Sequence, residues 1–193
     1  RETDANVPLA MTRTPRRQEL PDLAPLIHQA LLDPLLGLER LQEGCDTARH
    51  CGFGGVCTNL SQLVAARERL GAPGPTRLIA VIAFPFGAMP TPLKVAQAEW
   101  AAEQGAEALD VVPAMTALAD GQGNAFAEEL AQLCAIGLPV TVILDMVRLD
   151  DDQLTLAVEA AIDAGAAAVQ NSNGFGGAAT AQQIQLLNSL TRG

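Results

Sequence analysis

The sequence predicts an α/β fold in which parallel strands alternate with helices. Six short apolar runs are typical of strands, and each is followed by an amphipathic or alanine-rich stretch typical of a helix. The strand-like runs are apolar at successive positions, which indicates a parallel sheet with right-handed crossovers. Five of the helical stretches are followed by a glycine that ends the helix before the next strand. These glycines are Gly52, Gly71, Gly105, Gly137 and Gly165.

The predicted elements follow one another along residues 23–193, which we expect to form one domain. The predicted strands cover residues 27–32, 54–58, 77–84, 108–112, 140–145 and 166–171. The predicted helices cover residues 38–50, 60–70, 91–104, 123–136, 151–164 and 180–190. Residues 1–22 are polar and show neither period, so we expect a flexible leader there. Because the sequence begins with Arg1 and not with Met, we expect it to be processed or incomplete.

Six such units are compatible with two architectures, a doubly wound sheet and part of a (β/α)8 barrel. The sequence contains neither the glycine fingerprint of dinucleotide-binding folds nor a P-loop, and the glycines of residues 174–177 fit neither spacing. The regular spacing of the strand-like runs is typical of barrel units. The sequence therefore favours an incomplete TIM-type barrel.

Charge and composition exclude several classes of function. The 193 residues include 22 acidic and 12 basic side chains, and the formal net charge of -10 disfavours nucleic acids and anionic membranes as partners. No apolar run is long enough to cross a bilayer, and no signal peptide is evident, so we expect a soluble, cytoplasmic protein. The cysteines form no Cys-x-x-Cys pair, and the only histidines, His28 and His50, lie in different elements. We therefore predict no metal site and no cofactor.

Four polar side chains are predicted to face the barrel interior near the ends of strands. Alternation along residues 140–145 puts Thr141 and Asp145 on one face, and Asp110 and Gln170 each follow an apolar run. Barrel enzymes build their active sites at the carboxyl ends of the strands. The predicted site thus holds two carboxylates, a hydroxyl and an amide, unless the acids instead cap helices or bind loop amides.

A glycine-rich loop follows the last predicted strand. Thr180 and Gln183 form the pattern of a capping box, which places the glycines just before the amino end of a helix. Free backbone N–H groups at such a helix end favour a phosphate. We therefore predict a phosphate site at this loop, although a tight turn alone would also explain the glycines. The predicted phosphate-binding residues are Ser172, Gly174, Gly176 and Gly177.

Five segments at matching spacing carry a resemblance to a known family. They read LIHQALL (26–32), VIAFPFGA (81–88), LDVV (109–112), VTVILD (140–145) and QNSNGFGGAAT (170–180). Together they resemble the deoxyribose-phosphate aldolase family, in collinear order over residues 23–193. The resemblance implies a (β/α)8 barrel that cleaves 2-deoxyribose 5-phosphate to glyceraldehyde 3-phosphate and acetaldehyde. In that family the reaction runs through a lysine Schiff base and needs no metal.

The sequence departs from the family pattern at the residues that carry this reaction. The resemblance assigns the Schiff-base position to Gln170, where the family has lysine, and a second lysine position to Thr141. Asp110 matches the proton-relay aspartate, and Asp145 stands where the family usually has glutamate. The only lysine, Lys94, matches a family position that is not the nucleophile, so we expect a structural or solvated role for it.

These departures lead to three alternative functions. The first is an aldolase by descent whose activity is lost or impaired, and the second is a non-catalytic subunit that binds a sugar phosphate or a partner. The third is metal-assisted chemistry on Asp110 and Asp145. The last two barrel strands of the family have no counterpart in this sequence, so we expect either a truncated sequence or open sheet edges that pair in a homo-oligomer.

Overall fold

Six strands form one parallel sheet in the computed structural model, which describes residues 21–191. Each strand pairs with the next one in sequence, in the order β1-β2-β3-β4-β5-β6, and the sheet curls into a half-barrel. This sequential order confirms six units of a barrel and excludes a doubly wound sheet, whose strand order reverses. The strands are β1 (His28–Leu31), β2 (Gly55–Thr58), β3 (Arg77–Ile82), β4 (Ala108–Val111), β5 (Val140–Ile143) and β6 (Ala168–Gln170).

Within residues 21–191, seven α-helices connect and follow the strands. They are α1 (Leu38–His50), α2 (Leu60–Leu70), α3 (Thr91–Glu103), α4 (Met115–Ala119), α5 (Gly123–Cys134), α6 (Asp151–Asp163) and α7 (Ala181–Leu190). Helix α4 and two 3₁₀ turns, Ala24–Leu26 and Met146–Arg148, were not predicted because they are too short to show a period. Between residues 21 and 191, no helix has both the length and the apolar character needed to span a membrane.

Local signals in the sequence set where the helices begin and end. All five glycines predicted to end helices have positive φ, from 69° at Gly52 to 90° at Gly137, a conformation that favours glycine. Helix α7 begins with the predicted capping box of Thr180 and Gln183, and α6 begins with a second one. Apart from residues 21 and 22, the predicted leader lies outside the described residues.

The two faces of the sheet bury different side chains. The outer face packs against the helices and forms the main core, in which Leu78, Leu109 and Val142 meet Phe126 and Leu130 of α5. The inner face carries a smaller apolar cluster, Cys57, Ile79, Val81 and Ala108. All residues of β2 and β4 are buried, whereas the edge strands β1 and β6 are partly exposed. The concave inner face is therefore open along both edges of the described sheet.

Candidate active site at the carboxyl end of the sheet

The strand register places three of the predicted site residues on the inner face. Val81, Asp110 and Thr141 occupy paired positions on β3, β4 and β5, and Gln170 pairs with Ile143 two residues after Thr141. Paired residues of parallel strands point to the same face, which is also the face of the Cys57 cluster. Asp110, Thr141 and Gln170 thus share the concave surface.

Asp110 is a buried carboxyl group with neutral hydrogen-bond donors. It is 7% exposed, and it accepts hydrogen bonds from the Cys57 thiol, with Sγ 3.3 Å from Oδ2, and from the Thr141 hydroxyl. Burial raises the pKa of Asp110, and this effect outweighs the hydrogen bonds from Cys57 and Thr141 and the charges of His28 and Arg77. The surroundings therefore favour the protonated form of this group, which is suited to donating a proton.

Cys57 belongs to the site, although the sequence predicted no role there for the cysteines. Burial, and secondarily the charge of Asp110, raises the pKa of this thiol far above its ordinary value. The side chain is therefore an S–H donor to Asp110 and not a thiolate nucleophile. Cys57 pairs in register with Ile79, which in turn pairs with Ala108, two positions before Asp110. Only the stagger of the strands therefore brings the Cys57 and Asp110 side chains together. The sequence contains no signal for that stagger.

Gln170 lies on the same face but bonds to its own loop. Its side chain is exposed on edge strand β6, and Nε2 donates to the carbonyl oxygen of Ser172 at 2.7 Å. Among the described residues, no hydrogen bond joins Gln170 to Asp110 or Thr141. The structure therefore brings Asp110 and Thr141 into contact and leaves Gln170 apart.

Asp145 lies in a separate environment after β5. It is 8% exposed, its Oδ2 is 3.8 Å from Nη1 of Arg148, and its Oδ1 has no hydrogen-bond partner among the described residues. Gly176 packs directly on this carboxylate, so closely that a Cβ atom at position 176 would overlap Oδ1. Asp145 borders a cavity of about 310 Å³ together with Asn173, and Asp110 does not line that cavity. Residues 21–191 contain no group of three histidine, cysteine or acidic side chains that could hold a metal ion.

The glycine loop is held in place by its own side chains. Asn173 Oδ1 accepts hydrogen bonds from the N–H groups of Phe175 (2.9 Å) and Gly176 (3.2 Å), and its Nδ2 donates to the carbonyl oxygen of Pro85 at 3.0 Å. The Ser172 hydroxyl oxygen accepts from the N–H of Gly174 at 3.0 Å. Three backbone donors of the predicted phosphate loop are thus already bonded, while no hydrogen bond in the described part uses the N–H of Gly177. The role of Asn173 was not apparent from the sequence.

Lys94 lies on the helical side of the sheet. It is fully buried on α3, and its Nζ is 2.8 Å from Oε1 of Glu129 on α5. Glu129 also accepts hydrogen bonds from the Thr91 hydroxyl and from the N–H of Ala114. Burial lowers the pKa of Lys94, and the hydrogen bond and charge of Glu129 oppose this effect. The only lysine of the sequence is thus part of a network between helices.

Comparison with known proteins finds relatives that share one name. The chain is 36% identical over 172 residues to the deoxyribose-phosphate aldolase of Trichormus variabilis, covering 89% of this chain and 76% of that protein. It is 34% identical over 175 residues to the deoxyribose-phosphate aldolase of Thermococcus gammatolerans, covering 88% of this chain and 78% of that protein. No family model matches the sequence.

Solved structures agree with these relatives. An aldolase designated QR15 superposes with a TM-score of 0.84 at 27% identity, covering 90% of this chain and 79% of that one. The tetrameric deoxyribose phosphate aldolase of Aeropyrum pernix superposes with a TM-score of 0.76 at 29% identity, covering 88% and 73%. The half-barrel therefore matches the folds of aldolases.

Proposed function

The chain belongs to the deoxyribose-phosphate aldolase family, and on this premise we propose that it retains the family scaffold without the Schiff-base reaction. An aldolase-like function is supported by relatives at about a third identity over most of the chain. The loss of the reaction is our inference from the side chains of the inner face. The observation that carries it is the absence of any lysine side chain on that face.

A Schiff-base aldolase needs a primary amine. The amine nitrogen attacks the aldehyde carbon, water leaves, and the resulting imine accepts the electron pair of the breaking carbon–carbon bond. The lone pair of an amide nitrogen is delocalised into its carbonyl group, so Gln170 cannot take this step. Lys94, the only lysine of the 193 residues, is fully buried against Glu129 on the opposite side of the sheet.

Of the four side chains predicted to face the barrel interior, Asp110, Thr141 and Asp145 remain once Gln170 is set aside. We infer that Asp110, whose pKa is raised by burial, donates a proton or a hydrogen bond to a ligand oxygen, with Thr141 and Cys57 fixing its orientation. Asp145 packs on Gly176 and borders a cavity that Asp110 does not line, so we assign it a different task. In this proposal Asp145 orients the glycine loop.

Borohydride trapping tests the proposal. Purified protein is incubated with acetaldehyde or 2-deoxyribose 5-phosphate, reduced, and examined by intact-mass and peptide mass spectrometry. We expect no stable adduct on the natural chain and no release of glyceraldehyde 3-phosphate. Gln170→Lys should form a trapped adduct at position 170, because it restores an amine on the inner face, and Gln170→Met is the matched control without an amine. A trapped adduct on Lys94, or sugar cleavage by the natural chain, would refute the proposal.

A second candidate function is binding of a sugar phosphate without catalysis. It is favoured by the Gly177 N–H, which is free of hydrogen bonds within the described part and lies just before the amino end of α7. Ser172, Gly174 and Gly176 would complete the phosphate site if the anion displaced the side-chain acceptors of Ser172 and Asn173. Binding to the folded state raises the melting temperature. Stabilisation by 2-deoxyribose 5-phosphate but not by 2-deoxyribose supports this function, and the absence of a shift with either compound contradicts it.

We also infer that copies of the chain associate through the sheet edges. The outward-facing N–H and C=O groups of β1 and β6 have no strand partner among the described residues, and such edges favour pairing with another chain. The expected assembly is a homo-oligomer, which hydrogen exchange can test.

A further inference from the structure

A second cavity opens at the carboxyl end of β1, β2 and β3. Its volume is about 710 Å³, within the range of about 300–1,000 Å³ typical of small-molecule sites. None of Asp110, Thr141, Asp145 and Gln170 lines it. We call it the phenylalanine cavity, after the three rings in its wall, Phe84, Phe86 and Phe175.

The wall of the phenylalanine cavity is aromatic and uncharged. The ring of Phe175 packs edge-on against Phe84, with centroids 5.9 Å apart, and against Phe86, with centroids 5.6 Å apart. Phe86 and Phe175 are nevertheless 58% and 66% exposed, so much of their ring surface is free to contact a ligand. No described side chain that lines the cavity carries a charge. An anion entering it would lose hydration without gaining a cationic partner.

Two carboxamide groups place a donor and an acceptor at the cavity wall. Gln97 Oε1 accepts a hydrogen bond from the N–H of Ala83 at 3.0 Å, which leaves its Nε2 as a donor. Asn59 Nδ2 donates to the carbonyl oxygen of Leu32 at 3.2 Å, which leaves its Oδ1 as an acceptor. Within residues 21–191 no hydrogen bond uses Gln97 Nε2 or Asn59 Oδ1. Each carboxamide is therefore fixed by a hydrogen bond to one of its polar atoms, and its other polar atom is available to a ligand.

We propose that the phenylalanine cavity binds an uncharged aromatic molecule that carries a hydroxyl or carbonyl group. The rings of Phe84, Phe86 and Phe175 supply the contact surface for the aromatic body. Gln97 Nε2 donates to the hydroxyl or carbonyl oxygen, and Asn59 Oδ1 accepts from the hydroxyl where the ligand has one. Small-molecule sites share this division between apolar walls and a few fixed polar groups. The ligand class differs from a sugar phosphate, and the binding does not depend on the missing amine.

A matched pair of probes tests this proposal. Benzyl alcohol and benzyl phosphate share the aromatic body and differ in charge, and amide NMR spectra of the full chain report both affinity and location. We expect saturable shifts with benzyl alcohol at Ala83, Gln97 and Phe175. Benzyl phosphate should bind at least about tenfold more weakly, because its charge has no partner in the wall.

Variants show whether the named residues carry the binding. Phe175→Ala removes an exposed ring, and Gln97→Glu keeps the acceptor for Ala83 while replacing the free donor with a carboxylate, so both should weaken benzyl alcohol binding severalfold. Ile162→Ala, at a 54% exposed residue outside the cavity, is the control and should leave it unchanged. Unsaturable shifts, equal affinity for the two probes, or equal effects of Phe175→Ala and Ile162→Ala would each overturn the proposal.

Discussion

Asp110 is a carboxyl group whose surroundings oppose its ionisation, and this has a measurable effect on stability. Burial raises its pKa in the folded state above the unfolded value, so its contribution to stability is fully present below the unfolded pKa. That contribution is lost as the pH rises through the raised folded pKa. Asp110→Asn removes the titration and retains an oxygen that accepts from Cys57 and Thr141. We therefore expect the free energy of unfolding of the variant to increase relative to that of the natural chain as the pH rises through this window.

Asp46 provides the control of opposite sign for this experiment. Its exposed carboxylate pairs with Arg69, and the hydrogen bond from that guanidinium lowers the pKa of Asp46. The stability that Asp46 contributes is present above the unfolded pKa and lost as the pH falls through the lowered one. The free energy of unfolding of Asp46→Asn should therefore fall relative to that of the natural chain as the pH rises. The change should be slight, because solvent screens the pair. Denaturant unfolding at several pH values measures both variants, and the same pH slope for both would contradict the assignment.

Gly176 is the residue at which the glycine loop and Asp145 meet. Gly176→Ala should destabilise the chain by about 1–3 kcal/mol, because the added methyl group overlaps the buried carboxylate of Asp145 and the loop has to shift. Gly177→Ala is the matched control, since the nearest atom to its Cβ is a Val147 methyl carbon at an ordinary 3.6 Å. Chemical denaturation measures both variants. Adding Asp145→Ala should recover most of the loss at Gly176, and an additive double variant would contradict this contact.

At the scale of elements, Lys94 and Glu129 join the start of α3 to α5 and to the loop after β4. Lys94→Met should cost about 3–5 kcal/mol of unfolding free energy, because it leaves the Glu129 carboxylate buried without its cation. Combining it with Glu129→Gln should restore much of that stability, since the amide oxygen can still accept from the N–H of Ala114. Arg69→Ala breaks an exposed ion pair that solvent screens, so it should cost much less than Lys94→Met. A double variant no more stable than Lys94→Met would show that the unpaired buried charge of Glu129 does not cause the loss of stability.

The sequence predicted the elements well where each carries its own pattern. The bounds of β2 and β4 agree with the prediction to within one residue, because an apolar run between turn signals marks such strands. Helix α4, with five residues, is too short for a helical period and was missed. The site was predicted only in part. The sequence put Asp110, Thr141, Asp145 and Gln170 on the inner face, and the structure groups Asp110 with Thr141 but places Asp145 in separate surroundings. The contact of Cys57 with Asp110 depends on a strand stagger that no local pattern encodes.

At the scale of the whole molecule, the proposed association through the edges of the described sheet can be tested directly. Backbone hydrogen exchange at β1 and β6 should slow as the protein concentration is raised, because edge pairing protects N–H groups that the isolated chain exposes. The central strands β3 and β4 are the internal control and should exchange slowly at every concentration. Exchange at both edges that does not depend on concentration would contradict association through them.

The nearest-neighbour order of the strands also bears on how the chain is made. Because β2 to β6 each pair with the strand preceding them in sequence, each of these five strands finds one partner that has already been synthesised. A ribosome that releases the chain from its amino end delivers each βα unit beside a ladder that is already assembled. The described sheet can therefore grow during translation by one βα unit at a time, and its growing edge is the most recently synthesised strand.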